Sequence, residues 1–298
     1  MPRRFFTLDV FADRALAGNP LAVVIDAAGL DDARMQAIAR EFNLSETVFV
    51  LAPGDPAHAA AVRIFTPTLE MPFAGHPTIG TAALIAHLRA PDLMKTQEVA
   101  VTLEEKVGDI ACRARRHEKG ALAAEFDLPR PPERSQGEPP PAAEIAAALD
   151  LEPEDIDFDG HAPSLFSAGA PYLFAPLRSL AAVRRASPKA WSAAGRDPIF
   201  VYSREVEAPG SAFHARMFAG AWGVHEDPAT GSAAAAFAGV VLAFERPRDG
   251  RHRLVIEQGF EMGRPSLIAL SLEVEGGALR KATIGGAAVI VSSGALEL

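Results

Sequence analysis

The chain repeats itself. Set against itself at an offset of 151, Gly18-Asn19-Pro20-Leu21 falls on Gly169-Ala170-Pro171-Tyr172. At the same offset His76-Pro77-Thr78-Ile79-Gly80-Thr81-Ala82-Ala83 falls on Asp227-Pro228-Ala229-Thr230-Gly231-Ser232-Ala233-Ala234. A third match, Val62-Arg63-Ile64-Phe65 onto Ala215-Arg216-Met217-Phe218, sits at offset 153. One such match means little in a chain rich in alanine and glycine. Three in the same order, at nearly half of 298 residues, point to duplication. Two similar halves related by a pseudo-twofold are therefore expected, and the length suits two domains of ordinary size.

Within the first half, Phe5–Phe11 and Leu21–Ile25 read as strands around the turn Ala17-Gly18-Asn19-Pro20. Asp31-Asp32 opens a helical pattern with Met35, Ile38, Ala39 and Phe42 on one face, ending near Asn43. Strands are expected at Thr47–Leu51, Ala60–Phe65, Glu98–Leu103 and Asp109–Ala114. Pro77–Leu88 is almost entirely small and apolar, which for a helix means burial all round. The second half repeats the pattern, with its own alanine-rich helix at Pro228–Phe244 and a last strand at Ala287–Ser292. Between them, residues 127–141 carry six prolines in fifteen positions, which no helix interior or central strand tolerates. The expected division is a first half over 1–126, a linker or crossover over 127–141, and a second half over 142–298. The final strand has the option of returning to the first domain.

Composition narrows the function. A net charge of −9 without a dense Lys/Arg patch argues against nucleic acid as a partner. No run of 18 apolar residues is present, so no membrane-spanning helix or membrane partner is expected. The first residues turn polar at Thr7 and Asp9, too soon for a signal peptide, and a cytoplasmic location is expected. Cys112 is the only cysteine, which excludes an intrachain disulfide and chemistry that needs two thiols. No phosphate-binding GxxxxGK[ST], no GxGxxG after a strand and no GxSxG occurs. His225-Glu226-Asp227 lacks a second ligand pair of metal-site spacing. No cofactor and no metal are expected.

The repeat places a polar residue and then proline at the start of each buried helix: His76-Pro77 and Asp227-Pro228. Aspartate suits the N-cap and proline the first helical position. A helix N-terminus presents unpaired N–H groups and partial positive charge, so two such starts facing one cleft would form an anion site flanked by His76 and Asp227. The competing reading makes Asp227 a simple cap and His76 a core or loop histidine. Glu46, in Asn43-Leu44-Ser45-Glu46-Thr47, is either an exposed turn residue or a carboxyl facing an apolar cleft. In the second case it has the character of a general acid/base acting beside a bound carboxylate.

At these residues the sequence resembles the PhzF-like phenazine-biosynthesis isomerases, within the wider diaminopimelate-epimerase-like fold. The matching stretches are FTLDVFADRALAGNPLAVV at 6–24, FNLSETVFV at 42–50 and FTPTLEMPFAGHPTIGTAA at 65–83. EDPATGSAAAA at 226–236, QGFEMGRPS at 258–266 and IGGAAVIV at 284–291 complete them. The resemblance implies an α+β fold of two similar domains, each a central helix wrapped by a mostly antiparallel, barrel-like sheet, with the active site in the interdomain cleft. It gives Glu46 the part of catalytic glutamate, His76 and Asp227 that of its assisting pair, and Ser45, Gly75, Gly231 and Ser232 that of substrate-site lining. It implies a homodimer. The implied reaction is a cofactor-independent isomerisation of a small cyclic carboxylate of the trans-2,3-dihydro-3-hydroxyanthranilate type. One acid/base suits removal and return of a proton on one face, whereas relatives that racemise use a cysteine pair. Two other readings stay open: an isomerase of an amino-acid-like or sugar-acid substrate, and a carboxylate-binding scaffold without activity.

Overall fold

The computed structural model describes residues 2–193, 198–220 and 224–298. It divides into two compact units, Met1–Asp127 with Gly285–Leu298, and Leu128–Ile284. No helix among the described residues is long and apolar enough to cross a membrane.

The first unit runs β1 (Arg3–Val10), β2 (Asn19–Val24), α1 (Asp32–Phe42), β3 (Glu46–Leu51), β4 (Ala60–Phe65), β5 (Glu70–Met71), α2 (Gly75–Arg89), β6 (Val99–Glu105), β7 (Gly108–Arg116) and β8 (Leu122–Asp127). Its strands pair as a ring. β1 lies antiparallel to β2, β2 parallel to β3, β3 antiparallel to β4, and β4 parallel to β6. β6, β7 and β8 then follow as antiparallel neighbours. The last strand of the chain pairs with both β8 and β1, which closes an eight-stranded barrel. An eight-stranded barrel has an interior just wide enough to be filled by side chains. A helix fits inside only if most of its side chains are short, and α2, buried throughout from Gly75 to Ala86, has glycine, alanine, threonine or proline at eight of those twelve positions. At Gly80 an added Cβ would lie 2.6 Å from Leu21 Cδ2 and 2.7 Å from Val10 Cγ2, so the helix presses directly on β1 and β2.

Outside the barrel α1 covers Val24, Phe49 and Phe65 with Met35, Ile38 and Ala39, residues at helical spacing. Asp31 caps this helix by accepting the Arg34 N–H at 2.8 Å, and Asn43 ends it in the left-handed region at φ 51°.

The second unit contains β9 (Glu133–Arg134), α3 (Ala142–Ala148), β10 (Ser164–Ser167), β11 (Pro171–Pro176), α4 (Leu180–Arg185), α5 (Lys189–Ala193), β12 (Ile199–Ser203), β13 (Phe213–Ala219), β14 (Val224–Asp227), α6 (Gly231–Val240), β15 (Gly250–Gln258) and β16 (Ser266–Glu275). The last strand, β17 (Ala278–Leu296), begins here and ends in the first unit. The pairing senses from β10 to β16 repeat those from β1 to β7: antiparallel, parallel, antiparallel, parallel, antiparallel. The three sequence matches fall on equivalent elements, namely β2 with β11, β4 with β13, and α2 with α6. α6 is buried except at Ser232, and its Phe237 ring packs on Phe174, Phe200, Tyr202 and Phe213 with centroids 4.8–5.7 Å apart. Residues 128–141 belong to this unit, with Arg134 paired to Phe166 and Glu133 to Ser167 on short β9. Short edge strands and chain ends accept prolines that a central strand would not.

Two helix boundaries differ from the sequence expectation. α2 starts at Gly75, so Pro77 is its third residue; α6 starts at Gly231, three residues after Pro228.

Replacing Gly80 by alanine separates helix propensity from packing. Propensity alone favours alanine by about 1 kcal/mol. Overpacking against Leu21 and Val10 costs about 1–3 kcal/mol and should outweigh it. Urea unfolding is expected to show Gly80→Ala destabilised; a stabilised variant would mean that α2 does not press on the strands.

Candidate active site

In the first unit the αL turn at Asn43 ends α1, and Leu44-Ser45 lead straight into β3. Glu46 thereby becomes the first residue of β3, beside Leu21 in the parallel register with β2. His76 is the second residue of α2, held in place by the tight approach of that helix to β2. Its Nε2 lies 3.3 Å from Glu46 Oε2, with the two side chains 5% and 18% exposed. Ser45 is half-buried and Gly75 buried at the same end. The sequence left Glu46 between an exposed turn and a sheltered carboxyl, and His76 between a core residue and a working one. The structure brings the two side chains together.

The charge state of this pair follows from its surroundings. Burial pushes the His76 imidazole down to about 3, and its hydrogen bond to the Pro20 carbonyl only partly opposes that shift. The ring is neutral at ordinary pH and has one N–H to give. Nε2 has no hydrogen-bond partner among the described residues, so the N–H on the carbonyl is that of Nδ1. Nε2 thus carries a lone pair 3.3 Å from Glu46 Oε2, close to that carboxyl but not hydrogen-bonded to it. The contact is not an ion pair.

In the second unit Asp227 is the last residue of β14, where it pairs with Met217. It does not cap α6. The N-cap is Thr230, and Asp227 Oδ2 instead accepts the Thr230 hydroxyl at 2.5 Å. Sequence reasoning read Asp227-Pro228 as cap and first helical residue, but contacts distant in the chain hold residues 228–230 out of the helix. The buried Gln258 donates to the Asp227 carbonyl at 2.7 Å and the Thr230 hydroxyl at 3.1 Å, and accepts the Thr230 N–H at 3.2 Å. Gly259 (φ 77°) follows, so close to Pro228 that a Cβ would sit 2.5 Å from its carbonyl oxygen. Gly231 is buried, and the Ser232 hydroxyl meets that of Tyr172 at 2.7 Å. Neither N-cap residue, Ala74 nor Thr230, caps its helix with a side chain. Backbone N–H groups at such helix starts are suited to a carboxylate.

Gln258, Gly259 and Tyr172 lie in stretches quoted from the sequence but were given no part in the site there. A glutamine two residues beyond the apolar run Leu254–Ile256, followed at once by glycine, was the available signal for the first two. Glu226, considered as a metal ligand, is taken up by Arg216 in a two-point ion pair at 2.8 Å. Cys112 is buried in β7, and burial pushes its thiol above the ordinary range.

The fold is shared with a hydroxyproline epimerase of Agrobacterium vitis, matched with a TM-score of 0.63 and 14% identity over 99% of this chain and 91% of that one. The sequence profile of the phenazine biosynthesis-like (PhzC-PhzF) family matches residues 8–294. An uncharacterized isomerase of Mesorhizobium japonicum is 50% identical over 99% of this chain and 98% of its own length. The trans-2,3-dihydro-3-hydroxyanthranilate isomerase of Pseudomonas chlororaphis is 35% identical over 99% of both chains. The crystal structure of the Bacillus anthracis phenazine biosynthesis protein of the PhzF family matches with a TM-score of 0.86, 26% identity and full coverage of both chains. The chain belongs to the phenazine biosynthesis-like (PhzC-PhzF) family and is an isomerase.

Gln258→Leu is expected to leave the Thr230 N–H and the Asp227 carbonyl without their buried partner. Each stranded group costs about 1–3 kcal/mol. Thermal unfolding should show that loss, whereas an unchanged melting temperature would mean that Gln258 does not hold the turn.

Proposed function

We propose that this isomerase moves a proton between carbons of a small cyclic carboxylate, with trans-2,3-dihydro-3-hydroxyanthranilate as the type substrate. The observation that carries the reading is the Glu46–His76 contact, a carboxyl beside a neutral imidazole lone pair in a sheltered place. Glu46 takes the proton from the ring carbon that bears the hydroxyl. The conjugated double bonds shift, and Glu46 returns the proton to another ring carbon. The enol so formed relaxes to the amino-ketone. Nothing is oxidised or reduced overall, and one proton donor on one face is enough.

His76 faces Glu46 with its acceptor nitrogen and orients the acid between the two transfers. Asp227 assists the same reaction, held to Thr230 and through its own carbonyl to Gln258. Ser45, Gly75, Gly231 and Ser232 are assigned to the substrate, whose carboxylate takes backbone N–H groups at the helix starts and thereby stabilises developing charge. The 35% identity to enzymes named for this substrate supports its choice.

The test is turnover of trans-2,3-dihydro-3-hydroxyanthranilate in D2O, followed by NMR and absorbance. The wild type is expected to isomerise it with deuterium uptake at ring carbon. Glu46→Gln should lose about 10²–10⁴-fold, the range for a general acid/base, and Asp227→Asn should lower kcat more than it raises KM. A wild type that leaves this compound untouched would remove it as substrate. Turnover undiminished in Glu46→Gln would remove Glu46 as the base.

A further inference from the structure

The repeat extends to residues outside the site described above. β13 sets Phe213 beside Ile256, His214 beside Glu257 and Ala215 beside Gln258. β4 sets Ala60 beside Leu103 and Ala61 beside Glu104. The offset of 153 that carries Val62–Phe65 onto Ala215–Phe218 carries Ala60 onto Phe213 and Ala61 onto His214. Leu103 therefore corresponds to Ile256, Glu104 to Glu257 and Glu105 to Gln258.

Contacts follow the correspondence. Glu104 accepts the N–H groups of Gly54 and Asp55 at 2.7 and 2.9 Å and meets His58 at 2.9 Å. Glu257 accepts those of Glu207 and Ala208 at 2.5 and 2.9 Å and meets His214 at 2.7 Å. The next side chain turns inward in both units. Gln258 reaches the turn before α6, and Glu105 Oε1 lies 2.7 Å from the Thr78 hydroxyl in the first turn of α2. Thr78 is in turn 2.8 Å from the carbonyl of Ala74, the N-cap residue.

We propose that Glu105 is a positioning residue, a hydrogen-bond buttress that holds the first turn of α2, and with it His76, as Gln258 holds the turn that carries Asp227. This rests on the acid/base role given to Glu46 and the orienting role given to His76. Hydrogen-bond accounting sets the form in which Glu105 does so. The Thr78 hydroxyl has one hydrogen and faces two oxygens. A carboxylic acid at Glu105 donates to Thr78, whose hydrogen then goes to the Ala74 carbonyl, and both contacts of the hydroxyl are satisfied. A carboxylate would set two acceptors against one hydrogen.

The surroundings favour the acid. Glu105 is 8% exposed, and no cation pairs with it among the described residues. Thr78 reaches it from α2, and the Cys112 thiol on β7 is near enough to be pushed up by its charge. Burial lifts the Glu105 carboxyl to about 8, with Thr78 pulling weakly the other way. A neutral carboxylic acid and a glutamine amide are close in shape, and both donate. Glu105→Gln thus installs in the first unit the residue that the second unit already uses.

Amide hydrogen exchange over residues 74–79 tests this in the wild type, Glu105→Gln and Glu105→Leu. At pH 7 Glu105→Gln should exchange like the wild type, while Glu105→Leu should exchange about tenfold faster there. Raising the pH to 9 should loosen the wild-type segment by about tenfold beyond the intrinsic rise, and should not do so in Glu105→Gln. Melting curves give a second reading. A carboxyl raised from 4.5 to about 8 by folding contributes stability fully present below pH 4.5 and lost as pH rises through 8. The wild type should therefore lose ground to Glu105→Gln across that window and hold constant above it. Should Glu105→Leu fail to fold, the comparison of wild type with Glu105→Gln decides alone. Rapid exchange in Glu105→Gln at pH 7, or no divergence from wild type between pH 5 and 9, would overturn the proposal. None of these readouts uses turnover, so an active Glu46→Gln would remove the acid/base reading and leave the buttress to be judged by exchange.

Discussion

The hydrogen bond from the His76 ring to the Pro20 carbonyl is the contact on which the Glu46–His76 pair depends. It exists only because α2 lies against β2 at glycine distance, with Gly80 over Leu21 and Val10. Given that bond, a buried neutral imidazole has no second N–H, and the nitrogen that faces Glu46 must be an acceptor. The tautomer follows from that backbone carbonyl, and the neutral charge from burial, which the carbonyl bond only partly opposes. A helix of ordinary leucine-rich composition would not fit the barrel interior, and the same argument explains the alanines of α6. Short side chains let the strands wrap, and the candidate residues His76 and Asp227 sit near where each helix begins.

The second unit solves the same mechanical problem with different groups. Its helix begins after a turn that Gln258 clamps at three points and Gly259 underpins by close contact with Pro228. Asp227 stands at the end of a strand, in place of a histidine in the first turn of a helix. Duplication supplied two similar frames, and the polar residue at each helix start diverged. Equivalent scaffold positions kept equivalent tasks: Glu104 and Glu257 both tie a loop ahead of a strand to the strand that follows the helix.

Much of this was legible in the sequence because local and long-range signals agreed. Asp31, Met35, Ile38, Ala39 and Asn43 specify α1 from cap to stop, and the three repeated stretches land on equivalent elements. The start of α6 was misread because Asp227-Pro228 satisfies the local rules for a cap and first turn. The deciding contact comes from Gln258, 31 residues away. Glu105 was invisible for a related reason. In the run Glu104-Glu105-Lys106 it reads as one more charge near a hairpin, and only barrel closure decides which side chain points inward. Glu46 looked like an exposed turn residue on spacing alone; the approach of His76 from another element is what shelters it.

The most direct test is the protonation state of His76, read from the ring nitrogens by ¹⁵N NMR between pH 5 and 8. The account predicts one neutral tautomer throughout, with the proton on Nδ1 and a bare Nε2 toward Glu46, because the ring's own value lies near 3. Stability tied to this histidine should fall only on the acid side, as pH drops below 6.5 towards 3, since folding depresses its affinity for a second proton. A titration midpoint near 6.5, or a proton on Nε2, would contradict the acceptor role and with it the Glu46–His76 pair.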